Sequence, residues 1–184
     1  MMTKNGVDKE RLFQETQFLA NVLEREYIIE NKMMREDEFE KKLVLLEKLK
    51  IIEVSEGKVF LRDRFYLSFL CSLIWPFAES YWVTILYIIS LKKSNRKMTL
   101  YTLYMSVQWF AETLYEERVI PHFESCSLDT IKNSLAKLAQ MKIIKFIGKG
   151  KDCGIKILSS IEELIDLRNN MNQFLKVPVT KAAL

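Results

Sequence analysis

A constant offset of 92 residues runs through this chain. Phe18 and Phe110 stand that far apart, as do Glu24 and Glu116, Ile28 and Ile120, Asp37 and Asp129, Leu43 and Leu135, Leu46 and Leu138, Lys50 and Lys142, Ile51 and Ile143, and Ile52 and Ile144. An ungapped offset in which the apolar positions match implies two structural units of one kind. The competing reading is chance similarity between two amphipathic helix pairs, since the shared residues are common helix formers.

The local patterns on either side of the offset agree. Leu12, Phe13, Phe18, Leu19, Val22, Leu23 and Tyr27 recur at helical spacing and predict a helix over 11–28. Asp37 stands where an N-cap is expected, and Phe39, Leu43, Leu46 and Leu49 line one face of a second helix. Residues 50–54 and 58–61, around Ser55-Glu56-Gly57, predict a hairpin. The second half repeats this with a helix over 101–120, a helix capped by Ser127 or Asp129 with Ile131, Leu135, Leu138 and Met141 on its face, and strands at 143–147 and 155–158. A last helix carries Ile161, Leu164, Leu167, Met171 and Leu175, capped by Ser159 or Ser160 and stopped by Pro178.

Between the halves lies residues 65–91, FYLSFLCSLIWPFAESYWVTILYIISL, whose single charge is Glu79. A membrane-spanning helix needs about twenty apolar residues. This stretch has the length, but Pro76 interrupts it and an acid at mid-span costs about 2.5–3.5 kcal/mol. As soluble structure it reads better: Pro76 opens a helix, Glu79 sits in the first turn at the favourable dipole end, and Phe77, Tyr81, Ile85 and Ile88 form a face widened by Ala78, Trp82 and Ile89. Ser80, Thr84 and Tyr87 leave a narrow polar stripe. Buried helices are the preferred reading, ahead of a membrane-dipping hairpin or a true span. The predicted fold is mostly α with small β-hairpins: two winged-helix-like units, 8–64 and 98–158, joined by a buried hydrophobic helical segment at 65–91, then a helix at 159–176 and an exposed tail at 177–184.

Composition narrows the function classes. Only five glycines and three prolines punctuate a chain that is 49% hydrophobic and 28% charged, which favours helix over disorder. The formal charge is +4, with bases gathered at Lys92, Lys93, Arg96 and Lys97 and again at Lys142, Lys145, Lys149, Lys151 and Lys156. Such runs serve as solvated faces or as contacts for phosphate, anionic lipid or acidic protein. Three widely spaced cysteines suggest neither a disulfide framework nor a zinc site, and the amino terminus lacks the apolar core of a secretory signal, so an intracellular location is expected.

No Walker loop, dinucleotide fingerprint, His/Cys metal cluster or EF-hand pattern is present, and no cofactor or metal is expected. His122 is the only histidine; Cys126 follows four residues later, and nothing near it in sequence orients the imidazole.

Three words carry a family resemblance: Trp75-Pro76-Phe77-Ala78-Glu79-Ser80-Tyr81-Trp82; Phe110-Ala111-Glu112-Thr113-Leu114-Tyr115; and the run from Ser125 through Asp129, Lys132 and Asn133 to Leu135. Over roughly residues 8–160 the chain resembles the carboxy-terminal region of the glycerol-3-phosphate and dihydroxyacetone-phosphate acyltransferases, with Pro76, Phe77, Glu79, Ser80, Tyr81, Asp129, Lys132, Asn133 and Leu135 on the family's signature positions. The terminal VPVTKAAL is similar to the tail of the dihydroxyacetone-phosphate enzyme of ether-lipid synthesis, which ends in a peroxisomal targeting tripeptide; here Ala182, Ala183 and Leu184 hold that place, with Lys181 displaced from the basic position.

The resemblance implies a transfer of a fatty acyl group from coenzyme A to a three-carbon phosphate, run in the family by a His-x-x-x-x-Asp motif whose histidine deprotonates the acceptor hydroxyl. Ser127 stands five residues after His122, so no family catalytic residue carries over and the chain alone is expected to be inactive. The implied role is a non-catalytic C-terminal domain that partners an acyltransferase catalytic domain or a homologue, with an alkyl-dihydroxyacetone-phosphate synthase, peripheral membrane contact and a peroxisomal membrane location as further expectations. The alternative is a tandem winged-helix nucleic-acid-binding protein that offers Lys132, Asn133, Lys137 and Gln140 to a groove; Glu38, Glu40 and Glu47 on the first unit's equivalent helix oppose it, and nucleic acid is not the expected partner.

Overall fold

The structure, a computed structural model, describes residues 6–27, 35–94, 97–148 and 153–175. The chain divides into two compact units, Met1–Leu73 and Ile74–Leu184. The architecture is mostly helical with small antiparallel strand pairs, as the sequence predicts.

The first unit starts with a two-residue strand β1 (Val7–Asp8), followed by helices α1 (Lys9–Val22) and α2 (Glu36–Lys48), a hairpin of β2 (Ile52–Ser55) and β3 (Lys58–Leu61), and helix α3 (Arg64–Ser72). The three strands lie in the order β1-β3-β2, all antiparallel, with Val7 opposite Val59 and Val54 opposite Val59 from the other side. Asp8 caps α1, its carboxylate accepting from the Arg11 amide at 3.1 Å. Helix α1 stops at Val22, short of the predicted end at 28. The expectation for Asp37 is also corrected: Arg35 occupies the N-cap of α2, and Asp37 lies inside the helix, paired with the Arg35 guanidinium. Phe39, Leu43, Ile51, Ile52 and Val59 form the core, on which Leu12, Phe13, Leu67 and Leu70 pack.

The second unit holds α4 (Trp75–Ser94), α5 (Leu100–Glu116), a 3-10 turn (Phe123–Cys126), α6 (Leu128–Gln140), the hairpin β4 (Ile144–Ile147) and β5 (Gly154–Ile157), and α7 (Ile161–Asn172). Helix α4 is apolar around nearly its whole circumference, and α5, α6, α7 and the 3-10 turn cover it. Thr99, just before α5, bridges to Gly154, where a β-carbon would come within 3.0 Å of the Met98 carbonyl oxygen. Ser160 caps α7 in a reciprocal box with Glu163, whereas Ser127 occupies the N-cap of α6 without making a side-chain cap bond.

The 92-residue offset reappears in the backbone. Adding it to the bounds of α2 and β2 gives those of α6 and β4. The helix-to-strand corner is the same in both units: Lys50 and Lys142 are left-handed at φ 58° and 59°, and the amides of Ile51 and Ile143 donate to Leu46 and Leu138 at 3.0 Å each. In each unit one carbonyl at this corner then accepts two amides from the end of the hairpin, Ile51 from Arg62 and Asp63, and Ile143 from Leu158 and Ser159. The two units therefore share the local backbone bonds of this corner at positions 92 residues apart.

The reading of residues 65–91 as one buried connector is corrected. The unit boundary falls between Leu73 and Ile74, so α3 closes the first unit and α4 opens the second. Helix α3 has no buried residue, and Phe65 is 87% exposed; α4 is the buried part. No single helix among the described residues is long and apolar enough to cross a membrane, although α3 and α4 together have the length and composition of a broken pair.

Aligning the caps Asp63 and Ser160 sets α3 against α7. Leu67 and Leu70 then match Leu164 and Leu167, the inward residues of each helix. Outward, Phe65, Tyr66, Phe69 and Leu73 match Glu162, Glu163, Asp166 and Asn170. All eight are exposed, apolar in the first unit and polar in the second.

Candidate functional site

The buried polar centre of the second unit is built on Glu79. It is the fifth residue of α4, past the first turn where the sequence places it, and it is fully buried. Burying a carboxylate without partners costs several kcal/mol. Both oxygens are satisfied: His122 Nδ1 donates to Oε1 at 2.7 Å and Ser125 Oγ donates to Oε2 at 2.7 Å. The Trp75 indole stacks on the imidazole, with ring centroids 6.1 Å apart. The expectation that nothing orients His122 is therefore overturned; its partner lies 43 residues upstream, beyond the reach of a local motif search.

The geometry decides what this cluster can do. In a nucleophilic triad the serine hydroxyl bonds to the imidazole, which takes its proton. Here the Ser125 hydroxyl bonds to the carboxylate instead, so the imidazole is not placed to take its proton. Cys126, beside it, fares no better: burial first, then the carboxylates of Glu112, Glu79 and Glu124, push its thiol up to about 11, which leaves almost no thiolate near neutrality. The cluster is a clasp that ties α4 to the segment leading into α6.

The polar stripe predicted on α4 is an internal seam. Thr84 is buried, donates to the Ser80 carbonyl at 2.9 Å and accepts from Ser134 Oγ of α6 at 2.8 Å. Small hydroxyl side chains let the two helices approach closely while every bond stays internal. Ser80 Oγ and Trp82 Nε1 are buried without a hydrogen-bond partner among the described residues.

A cavity of about 610 Å³ opens beside the clasp. Pro76 and Phe77 of α4 form one wall, Gln108 and Glu112 of α5 another, and Phe123, Glu124 and Cys126 of the 3-10 turn with Thr130 of α6 close it. Gln108 braces the turn, its amide donating to the Cys126 carbonyl at 3.2 Å. Among the described residues no group of His, Cys, Asp and Glu could hold a metal ion.

Of the signature residues, Pro76 and Phe77 line the cavity, Glu79 is the clasp, and Ser80, Tyr81 and Leu135 are buried. Asp129 and Lys132 pair with each other on the surface of α6 at 3.1 Å, and Asn133 is half-buried on the same helix. Ala182, Ala183 and Leu184 lie outside the described residues. The structure also removes a groove-binding residue: Lys137 is 2% exposed. Gln108, which the sequence does not single out, and Glu112, Ser125 and Thr130, which it carries only inside the family words, complete the site with His122.

The family model for the glycerol-3-phosphate acyltransferase C-terminal region matches residues 1–146, from the start of the first unit into β4 of the second. The chain belongs to this family. The match takes in α4 with its Trp75–Trp82 word and the whole Glu79–His122–Ser125 clasp, so the buried carboxylate and its partners fall within the acyltransferase C-terminal region. No curated protein matches the chain.

Proposed function

We propose that this chain is a non-catalytic docking domain of an acyl-CoA-dependent acyltransferase of glycerolipid synthesis. The observation that carries the reading is the outward face of α3. Phe65, Tyr66, Phe69 and Leu73 are exposed where the equivalent helix of the second unit carries acids and an amide, so the fold itself does not require apolar residues there. Large aromatic side chains on a surface are the usual anchors of protein interfaces. The occupant is the catalytic portion of the same enzyme class, which the family's description as a C-terminal region supports. The lack of a second histidine, the diversion of Ser125 onto Glu79 and the protonated Cys126 thiol all support a role without chemistry of its own.

Within the family we assign the chain to the branch that acylates dihydroxyacetone phosphate for ether lipids, beside an alkyl-dihydroxyacetone-phosphate synthase at the peroxisomal membrane. The likeness of the VPVTKAAL tail supports this branch. A fluorescent fusion whose location is indifferent to removal of Ala182, Ala183 and Leu184 counts against it.

Docking is tested by calorimetric titration of the chain into the catalytic domain of a family member. A hot-spot aromatic contributes about 2 kcal/mol, a factor of about thirty, so Phe65→Ser with Phe69→Ser should weaken association at least thirtyfold, the effect of a single hot spot, while melting stays within about 2 °C. Association unchanged by the double substitution refutes the assignment of α3.

A further inference from the structure

We propose that the cavity between α4, α5, the 3-10 turn and α6 binds an alkylammonium group, the cationic head of a small amine or of a lipid. The first ground is charge. Glu112 and Glu124 line the cavity, and neither carboxylate forms an ion pair or a hydrogen bond among the described residues. Among the described residues no lysine or arginine lines it, although the chain as a whole is +4. The amino end of α6 contributes about half a positive charge, which two carboxylates outweigh. The field reaches the cavity wall, since both carboxylates help to hold the proton on Cys126.

The second ground is the lining. Phe123 is 61% exposed at the mouth, and Tyr115 meets it edge-on, centroids 5.4 Å apart and planes at 64°. The exposed Phe123 ring at the mouth offers a π-face that attracts an organic cation, and a methylated ammonium gains most because it is weakly hydrated. Deeper in, Phe77 and Pro76 give an apolar wall for the carbon chain. The third ground is independent of charge: Thr130 is only 7% exposed, lines the cavity, and its hydroxyl has no hydrogen-bond partner among the described residues. Its oxygen opens to the cavity, where a polar group of a ligand can take the place of water. The volume of about 610 Å³ lies within the range of small-molecule sites.

The test is a nuclear magnetic resonance titration of the full chain with tetramethylammonium and with tert-butanol, an uncharged compound that presents the same methyl cluster. Binding of the cation at least tenfold tighter than the alcohol, with shifts centred on residues 123–130, is the expected result. Glu112→Gln with Glu124→Gln should lower cation affinity at least tenfold with no loss of melting temperature, and Phe123→Ser should lower it separately. Equal affinity for cation and alcohol, cation binding unaffected by the double substitution, or no binding of either probe overturns the proposal. Choline and phosphatidylcholine vesicles distinguish the source. Saturation by free choline identifies a small soluble amine, and binding seen only with vesicles identifies a lipid headgroup; failure of both overturns the proposal.

Discussion

Removing the carboxylate of Glu79 while keeping its neighbours should unfold the second unit selectively. Glu79→Ala leaves His122 Nδ1 and Ser125 Oγ facing a dry void, where each has lost a charge-assisted bond of 2.7 Å. Truncating one partner of such a buried set costs about 3–5 kcal/mol. Glu79→Gln behaves differently. Its amide keeps the shape, its oxygen still accepts from one partner, and its NH2 can donate to the Nδ1 of the alternative imidazole tautomer, so the loss is about 1–2 kcal/mol. For a unit of this size 1 kcal/mol moves the melting temperature by roughly 4 °C, giving drops of roughly 12–20 °C for alanine and 4–8 °C for glutamine. Trp75, Trp82 and Trp109, the three tryptophans, all lie in the second unit, so tryptophan fluorescence during heating reads that unit alone. Replacing the whole cluster by Glu79→Leu, His122→Phe and Ser125→Ala should recover much of the loss, because no unpaired polar group remains. Equal losses in the alanine and glutamine variants, or an alanine loss under about 1 kcal/mol, would refute the reasoning.

Two further outcomes follow from the same geometry. Cys126 keeps its proton to about pH 11 when folded, against 9.0 as its ordinary value, so its contribution is fully present below pH 9 and is lost as pH rises through 11. Urea titrations should therefore show about 2 kcal/mol less stability at pH 11 than at pH 9 from this group, and Cys126→Ala should flatten that part of the profile; identical slopes in both proteins contradict the assignment. In a gel-shift at low salt with random duplex DNA, no shifted band is expected, because Lys137 is buried and Lys132 is engaged by Asp129. A salt-sensitive shift would revive the nucleic-acid reading.

What the sequence made legible was whatever repeats or recurs locally. The β-patterned runs around the turns located both hairpins, and the 92-residue offset paired Lys50 with Lys142, because a helix-to-strand corner is fixed by residues a few positions apart. The apolar periodicity located the helices, with ends off by a few residues where caps were misassigned, as at Asp37. The clasp was not legible, since Glu79 meets His122 and Ser125 only when α4 packs beside the 3-10 turn. A carboxylate alone in an apolar run was the available signal; such a group demands donors, and the single histidine was the natural candidate. Residues 65–91 misled for a physical reason as well. Continuous hydrophobicity records burial in α4 and an outward apolar face in α3, and composition alone does not separate the two.

The most direct test of the account is an acyl-transfer assay with a long-chain acyl-CoA and either dihydroxyacetone phosphate or glycerol 3-phosphate, run on the purified chain alone and then with a family catalytic domain added. The chain alone should release no coenzyme A above background. With the catalytic domain, turnover should appear and should respond to the chain in a manner abolished by Phe65→Ser with Phe69→Ser. Turnover by the chain alone would contradict the central claim that this domain docks and does not catalyse.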